Sequence, residues 1–235
     1  MRILLFILFS IGNGVLFAQL TIPKLEDRSN TFFANLYDSA MEGNLRIYTG
    51  KKFQEPFSKK LIEGDLYYGG DEWTEGTIGY QGEIYSKVTM RYHTFLDKLI
   101  VLRQNGNESL EVAEATVDFF ILHDRKFTKL KAATGYYGII YTGEINIVAK
   151  YYSSRHDKVV NKNMVTELEA KSKYYILKNE SITQVKSKSS VLKVLVDKKV
   201  ELRKYLRAQR ISFSQNKEYA LQIIGAEYDR LQKLK

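Results

Sequence analysis

The chain has no cysteine, two prolines, one tryptophan and three histidines in 235 residues. Without cysteine there is no disulfide, no thiol nucleophile, no iron–sulfur cluster and no Cys-based zinc site. With two prolines and 15 glycines, collagen-like and low-complexity organisation are excluded. Hydrophobic residues make up 44% and charged residues 27%, the balance of a folded rather than a disordered chain. The length suits one domain or two small ones with a real core. Beyond residue 18 no window approaches ~20 apolar residues, so no helix there is expected to cross a membrane.

Residues 1–18 stand apart. Met1-Arg2 is a positive start, Ile3 to Phe9 is an unbroken apolar run, and Val15-Leu16-Phe17-Ala18 closes the segment before Gln19. That pattern predicts a secretory signal peptide cut near Ala18-Gln19. Leu16 departs from the small residue such a site prefers, and the alternative is a retained N-terminal anchor. A lipoprotein is excluded, because its processing needs a cysteine. The expected location is periplasmic or outer-membrane associated.

Residues 19–44 read as a lead-in and a short helix, with Phe33, Leu36, Tyr37 and Ala40 on one face. Residues 45–186 change to a period of two. Ile84, Val88, Met90 and Tyr92 are expected on one face, with Tyr85, Lys87, Thr89 and Arg91 opposite. Ile145, Ile147, Ala149 and Tyr151 repeat the pattern. Val117-Asp118-Phe119-Phe120-Ile121-Leu122 carries apolar residues on both faces and predicts a central, covered strand. Turn signals fall at Gly69-Gly70, Gln81-Gly82, Asn105-Gly106, Thr142-Gly143 and Lys178-Asn179. Strands so closely spaced predict an α+β chain built on an antiparallel meander: a barrel, roll or sandwich. Residues 187–235 return to a helical period, about three helices packed on the sheet. Ser189 or Ser190 is expected to open the first and Asp197 to cap the second, with Leu202, Tyr205 and Leu206 inward. Leu221, Ile224, Tyr228 and Leu231 form the apolar stripe of the last.

Charge is unevenly placed. Residues 19–150 carry 16 bases and 18 acids; residues 151–235 carry 19 and 9, a balance of +10. Lys198, Lys199, Arg203, Lys204, Arg207 and Arg210 mark a cationic helical surface. Such a surface suits an anionic partner, either an envelope protein or an anionic membrane. Export and the lack of nucleic-acid motifs argue against nucleic acid.

Chemical signatures are sparse. His93, His123 and His156 form no H-E-x-x-H and no i, i+4 pair. Ser154-Arg155-His156-Asp157 holds triad residue types, but triads are assembled from distant positions. Asp71-Glu72 beside Trp73 is the one acidic pair flanked by an aromatic ring, and it reads as a hairpin loop. The glycine pairs Gly76/Gly79 and Gly135/Gly138 lie inside strand patterns and read as bulges or turns. Seventeen tyrosines include the doublets Tyr67-Tyr68, Tyr136-Tyr137, Tyr151-Tyr152 and Tyr174-Tyr175. In a strand, each doublet puts one ring on each face.

Several segments, in this order, resemble a group of exported proteins of Bacteroidota that has no assigned activity. They are Phe17-Ala18-Gln19, Tyr37-Asp38-Ser39-Ala40, Leu45 to Gly50, Gly76 to Gly79 with Val88 to Tyr92, and Asp97 to Val101. Gly135 to Gly138 with Ala149-Lys150, Tyr174 to Ile176, Lys188 to Leu192, Asp197 to Lys199, Glu201 to Tyr205 and Tyr228 to Leu231 complete the series. Thr49 stands where that group often has asparagine. Asp38-Ser39-Ala40 also resembles the O-glycosylation signal of that phylum. The resemblance implies export and carries over no catalytic residue. The expected function is a non-enzymatic cell-envelope protein with a structural or protein-binding role and no cofactor or metal. The alternatives are a membrane-surface or small apolar-ligand binder using the β-domain interior and, third, an enzyme of unknown type.

Overall fold

The computed structural model describes residues 46–57, 62–103, 106–131 and 133–234. Contacts divide the chain into 1–42 and 43–235, and every described residue belongs to the second unit. The signal peptide at 1–18, the helix through Phe33 to Ala40 and the Ser39 signal lie outside the described residues.

The alternating sequence folds into β1 (Lys51–Lys52), β2 (Ile62–Glu63), β3 (Thr74–Tyr80), β4 (Glu83–His93), β5 (Lys98–Leu102), β6 (Ser109–Glu111), β7 (Val117–Leu122), β8 (Arg125–Leu130), β9 (Ala133–Thr142), β10 (Asn146–Val160), β11 (Asn163–Lys178) and β12 (Ser181–Val185). They form one sheet in the order β1-β6-β5-β4-β3-β7-β8-β9-β10-β11-β12, with β2 beside β11. Every ladder is antiparallel except the two-residue contact of β2 with β11. The meander is thus two meanders, β3 to β6 and β7 to β12, joined where β3 pairs with β7. No ladder joins β1 to β12, so the sheet is open, and of the expected barrel, roll or sandwich the described residues do not form a closed barrel.

Type I′ hairpins need positive φ at both turn residues. Gln81-Gly82 supplies it as expected, and the last hairpin turns at Asn179-Glu180, one residue later than predicted. His123-Asp124 and Asn161-Lys162 do the same without glycine.

Val88, Met90 and Tyr92 are buried on one face of β4, as the alternation predicts, but Ile84 is 68% exposed. The cause is a bulge. Gly76 faces Val88, whereas Ile78 faces Tyr85, so β4 carries one extra residue there, and Lys87 takes φ 56°. An extra residue reverses the side-chain alternation beyond it. Tyr85 therefore packs against the core in place of Ile84. β7 is central but not covered on both faces: Phe120 and Leu122 are buried, while Phe119 and Ile121 are half-exposed. β5 is buried on both faces instead, with Leu99 and Val101 in one cluster and Ile100 in another.

Tyr92, Phe120, Phe127 and Tyr136 fill the first core, with the Phe120 and Phe127 rings stacked at 4.6 Å. A second core lies between β9–β12 and three helices: α1 (Lys188–Val194), α2 (Lys199–Ala208) and α3 (Lys217–Gln232). Ser187, not Ser189 or Ser190, caps α1. Its side chain accepts from the Ser190 N–H, and the Ser190 hydroxyl accepts from the Ser187 N–H, a reciprocal box. Leu221, Ile224, Tyr228 and Leu231 of α3 are all buried against the sheet. Gly225 lets α3 approach: a Cβ there would stand 2.4 Å from the Tyr141 ring. Acids fasten the same helix. Glu218 accepts from Arg125 at 2.6 Å and from the Tyr151 hydroxyl at 2.7 Å, and Asp229 accepts from the Tyr141 hydroxyl at 2.7 Å. Among the described residues no helix is long and apolar enough to cross a membrane.

Candidate functional site

The residue types singled out for chemistry are spread apart. His93 is fully buried. Its Nδ1 accepts the Leu96 N–H at 3.1 Å, which places the ring proton on Nε2, 3.3 Å from Glu55 Oε1. Burial pushes its pKa below the usual imidazole value, against the upward pull of Glu55. With both nitrogens engaged, the ring fixes the loop after β4 rather than presenting a free base. Ser154 and His156 lie on one face of β10 with 3.5 Å between Oγ and Nε2, but Asp157 is on the opposite face, bound to Arg155 and Thr166. The triad types therefore do not converge. Trp73 lies over Arg91, whose guanidinium is 3.7 Å from the Trp73 ring centroid and 4.3 Å from that of Tyr67. Asp71 takes part through its backbone carbonyl, at 2.7 Å from the same guanidinium, not through its carboxylate. Among the described residues no three His, Asp or Glu side chains converge to hold a metal ion.

The doublets behave differently from one another. Tyr136 and Tyr137 occupy the two faces of β9, both buried. Tyr67-Tyr68 lies in a loop and sends both rings inward. Tyr151 joins the two cores: its ring is 4.7 Å from Tyr68 and 5.8 Å from Phe127, and its hydroxyl reaches Glu218 on α3.

The cationic helices form a groove. Val191, Leu192 and Leu195 of the first helical segment and Leu202 and Leu206 of α2 turn into the second core. Their outer faces then meet across the turn Val196–Lys198. Lys188 and Lys193 of α1 and Lys199, Arg203 and Arg207 of α2 line a hollow of about 420 Å³ floored by Leu192. The α2 bases recur at i, i+4 and i+8, one stripe of the helix. Of the six residues marked by sequence, Lys199, Arg203 and Arg207 meet there. Lys198 is half-buried in the turn, and Lys204 and Arg210 are exposed outside the groove. Lys188 and Lys193 belong to the same basic run from Lys186 to Arg210 but lie outside the six marked residues, since only the tertiary fold brings α1 against α2.

None of the five groove bases has a carboxylate partner among the described residues: Asp197 and Glu227 are committed elsewhere, and the exposed Glu201 of α2 pairs with none of the five. Asp197 was expected to cap α2. It instead accepts from Lys178 at 2.6 Å, the Tyr228 hydroxyl at 2.8 Å and Gln232 at 2.7 Å, tying β11 to α3. Partial burial acts to raise its pKa, but the Lys178 and Tyr228 hydrogen bonds prevail and hold it at about 2. Glu227 is buried and bidentate with Arg230, at 2.7 Å for both bonds. The groove can therefore offer charge-assisted hydrogen bonds to carboxylates or phosphates without breaking an internal pair.

Neither a family model, nor a curated protein, nor a solved structure matches this chain.

Proposed function

We propose that this is a non-enzymatic, exported cell-envelope protein that binds an acidic protein partner through the groove between α1 and α2. The observation that carries the reading is the set of five bases, Lys188, Lys193, Lys199, Arg203 and Arg207, around one hollow, none of them paired with a carboxylate among the described residues and with Asp197 and Glu227 engaged elsewhere. The signal-like residues 1–18 support export to the periplasm or outer membrane. The packed rings of the first core favour a scaffold over a carrier of apolar ligands in the interior. In this reading the open sheet is a roll, closed on one side by its own aromatic side chains and on the other by the helices.

The test is a crosslinked pull-down from envelope fractions with the wild type and the double variant Arg203→Glu/Arg207→Glu. The expected result is a defined partner, eluted by salt and lost in the variant. Capture unchanged by the double reversal overturns the groove. Salt-sensitive binding to phosphatidylglycerol vesicles, with no protein captured, overturns the protein partner in favour of a membrane surface.

A further inference from the structure

Strand β11 has a gap in its pairing. β12 pairs with it from Tyr174 to Lys178, and β2 pairs with Thr166 and Glu167. Between those contacts the same edge of β11 is unpaired among the described residues. The hairpin to β10 closes at Val160 and Asn163, which sets the alternation along the ladder. Counting from Asn163, Glu169, Lys171 and Lys173 direct their backbone groups to β10. Leu168, Ala170 and Ser172 direct theirs away from it. At Leu168 the outer side is occupied: a Cβ on Gly64 would stand 2.1 Å from the Leu168 carbonyl oxygen. The amides and carbonyls of Ala170 and Ser172 have no backbone partner among the described residues. Unpaired strand groups of this kind are a template for another extended chain.

Two hollows flank the gap, and both border Tyr152 and Ser172. One, of about 300 Å³, is walled by the Tyr67, Tyr68 and Tyr151 side. The other, of about 440 Å³, is lined by Lys173, Lys186 and Lys217 together with Tyr174. No carboxylate lines the second hollow. The gap from Leu168 to Tyr174 is roughly 20 Å long at ~3.4 Å per residue, room for about five residues of visiting strand.

We propose that this gap binds an extended acidic segment of another protein as a short added strand. Its backbone pairs with Ala170 and Ser172, and its carboxylates meet Lys173, Lys186 and Lys217. The site is separate from the groove between α1 and α2, and it stands or falls without it. Main-chain pairing supplies register, and the lysines select acidic side chains.

The probe is an acetylated and amidated hexapeptide of alternating Glu and Thr, titrated into the isotope-labelled full chain and followed by amide chemical shifts. Expected are shifts at Ala170 to Lys173, Lys186 and Lys217, and binding unaffected by Arg203→Glu. N-methylating alternate peptide residues, which removes the pairing amides with no risk to the protein's fold, should weaken binding at least tenfold in one of the two registers. Ser172→Pro should do the same, since the amide it removes is not used by β10. Replacing Glu with Gln in the peptide should weaken binding several-fold. No shift at these residues overturns the proposal. So does binding indifferent to both N-methylation registers, which would be attraction to lysines alone. Self-association of the free chain through the same edge, abolished by Ser172→Pro, would overturn it in favour of a second copy as the occupant.

Discussion

The two cores of this protein are built by opposite means. From β3 to β8, the strands fill a shared interior with aromatic rings. From β9 to β12, the face of the same sheet is covered by helices, and α1 to α3 supply the apolar side chains. The consequence is electrostatic. In the helical half, three acids are fasteners: Glu218, Asp229 and Asp197 each join separate elements. Their use leaves the bases of α1 and α2 unpaired. In the first half, Lys98 and Glu111 tie neighbouring strands at 2.8 Å, while Asp97 reaches across to Lys150 of β10. A charge surplus readable in the composition thus becomes a surface in part because the fold ties up Asp197, Glu218 and Asp229.

The largest effects should come from breaking the ring-filled core. Val88→Asp places an unpaired carboxylate among fully buried side chains and should cost several kcal/mol, comparable with the stability of a whole domain. Ile84→Asp should be nearly neutral, because the bulge at Lys87 has already turned that side chain out. Simple alternation predicts equal damage at both positions, so urea midpoints of the two variants separate the readings. The helical half should give a smaller loss. Gly225→Leu drives a side chain into the Tyr141 ring and should cost about 1–3 kcal/mol. Hydrogen exchange should show α3 and β9 loosening before β4 and β7. Uniform loosening would mean that the two cores are one cooperative unit.

How far the sequence could reveal this depended on whether the determinant was local. Val88, Met90 and Tyr92 share a face because period two is written in three residues. The bulge beside them was invisible, since lysine has no special preference for the left-handed region that Lys87 adopts. The apolar stripe of α3 was legible as 3-4 spacing, but Gly225 reads as a weak helix residue until Tyr141 is seen against it. Asp197 looked like a cap because caps are local; its true partners are 19, 31 and 35 residues away. Half of the groove was legible as a stripe on α2. The α1 bases and the open edge at Ala170 and Ser172 depend on which elements become neighbours, and no local pattern encodes that.

Acid should act on the two halves in different ranges. The folded pKa of His93 is depressed below its ordinary 6.5. Its contribution is therefore complete above pH ~6.5 and shrinks as pH falls below that, because the unfolded chain takes up the proton first. Asp197 is depressed from 3.8 to about 2, so its contribution is complete above pH ~4 and is lost on the way down to about 2. Its carboxylate is partly exposed, which screens the effect. His93→Gln should flatten the stability profile just below pH 6.5. Asp197→Asn should leave that range unchanged and flatten the profile below 4. A His93→Gln profile identical to the wild type would mean that the imidazole protonates without leaving its Leu96 and Glu55 partners.

The smallest expected effect has an unusual sign. Lys199, Arg203 and Arg207 stand at i, i+4 and i+8 on α2, and like charges at that spacing repel by about 0.2–0.5 kcal/mol per pair. Arg203 has no carboxylate partner to lose among the described residues. Arg203→Glu removes two repulsions and creates two attractions, one toward each turn of the helix. The variant should therefore be more stable than the wild type by a few tenths of a kcal/mol up to about 1 kcal/mol at low salt. The gain should vanish in 1 M salt, where the screening length is about 3 Å. Paired urea melts at the two salt concentrations measure it. A destabilised variant would show that Arg203 is held by an acid in the folded chain, and the groove would then be a structural ion-pair site rather than a surface left open for a partner.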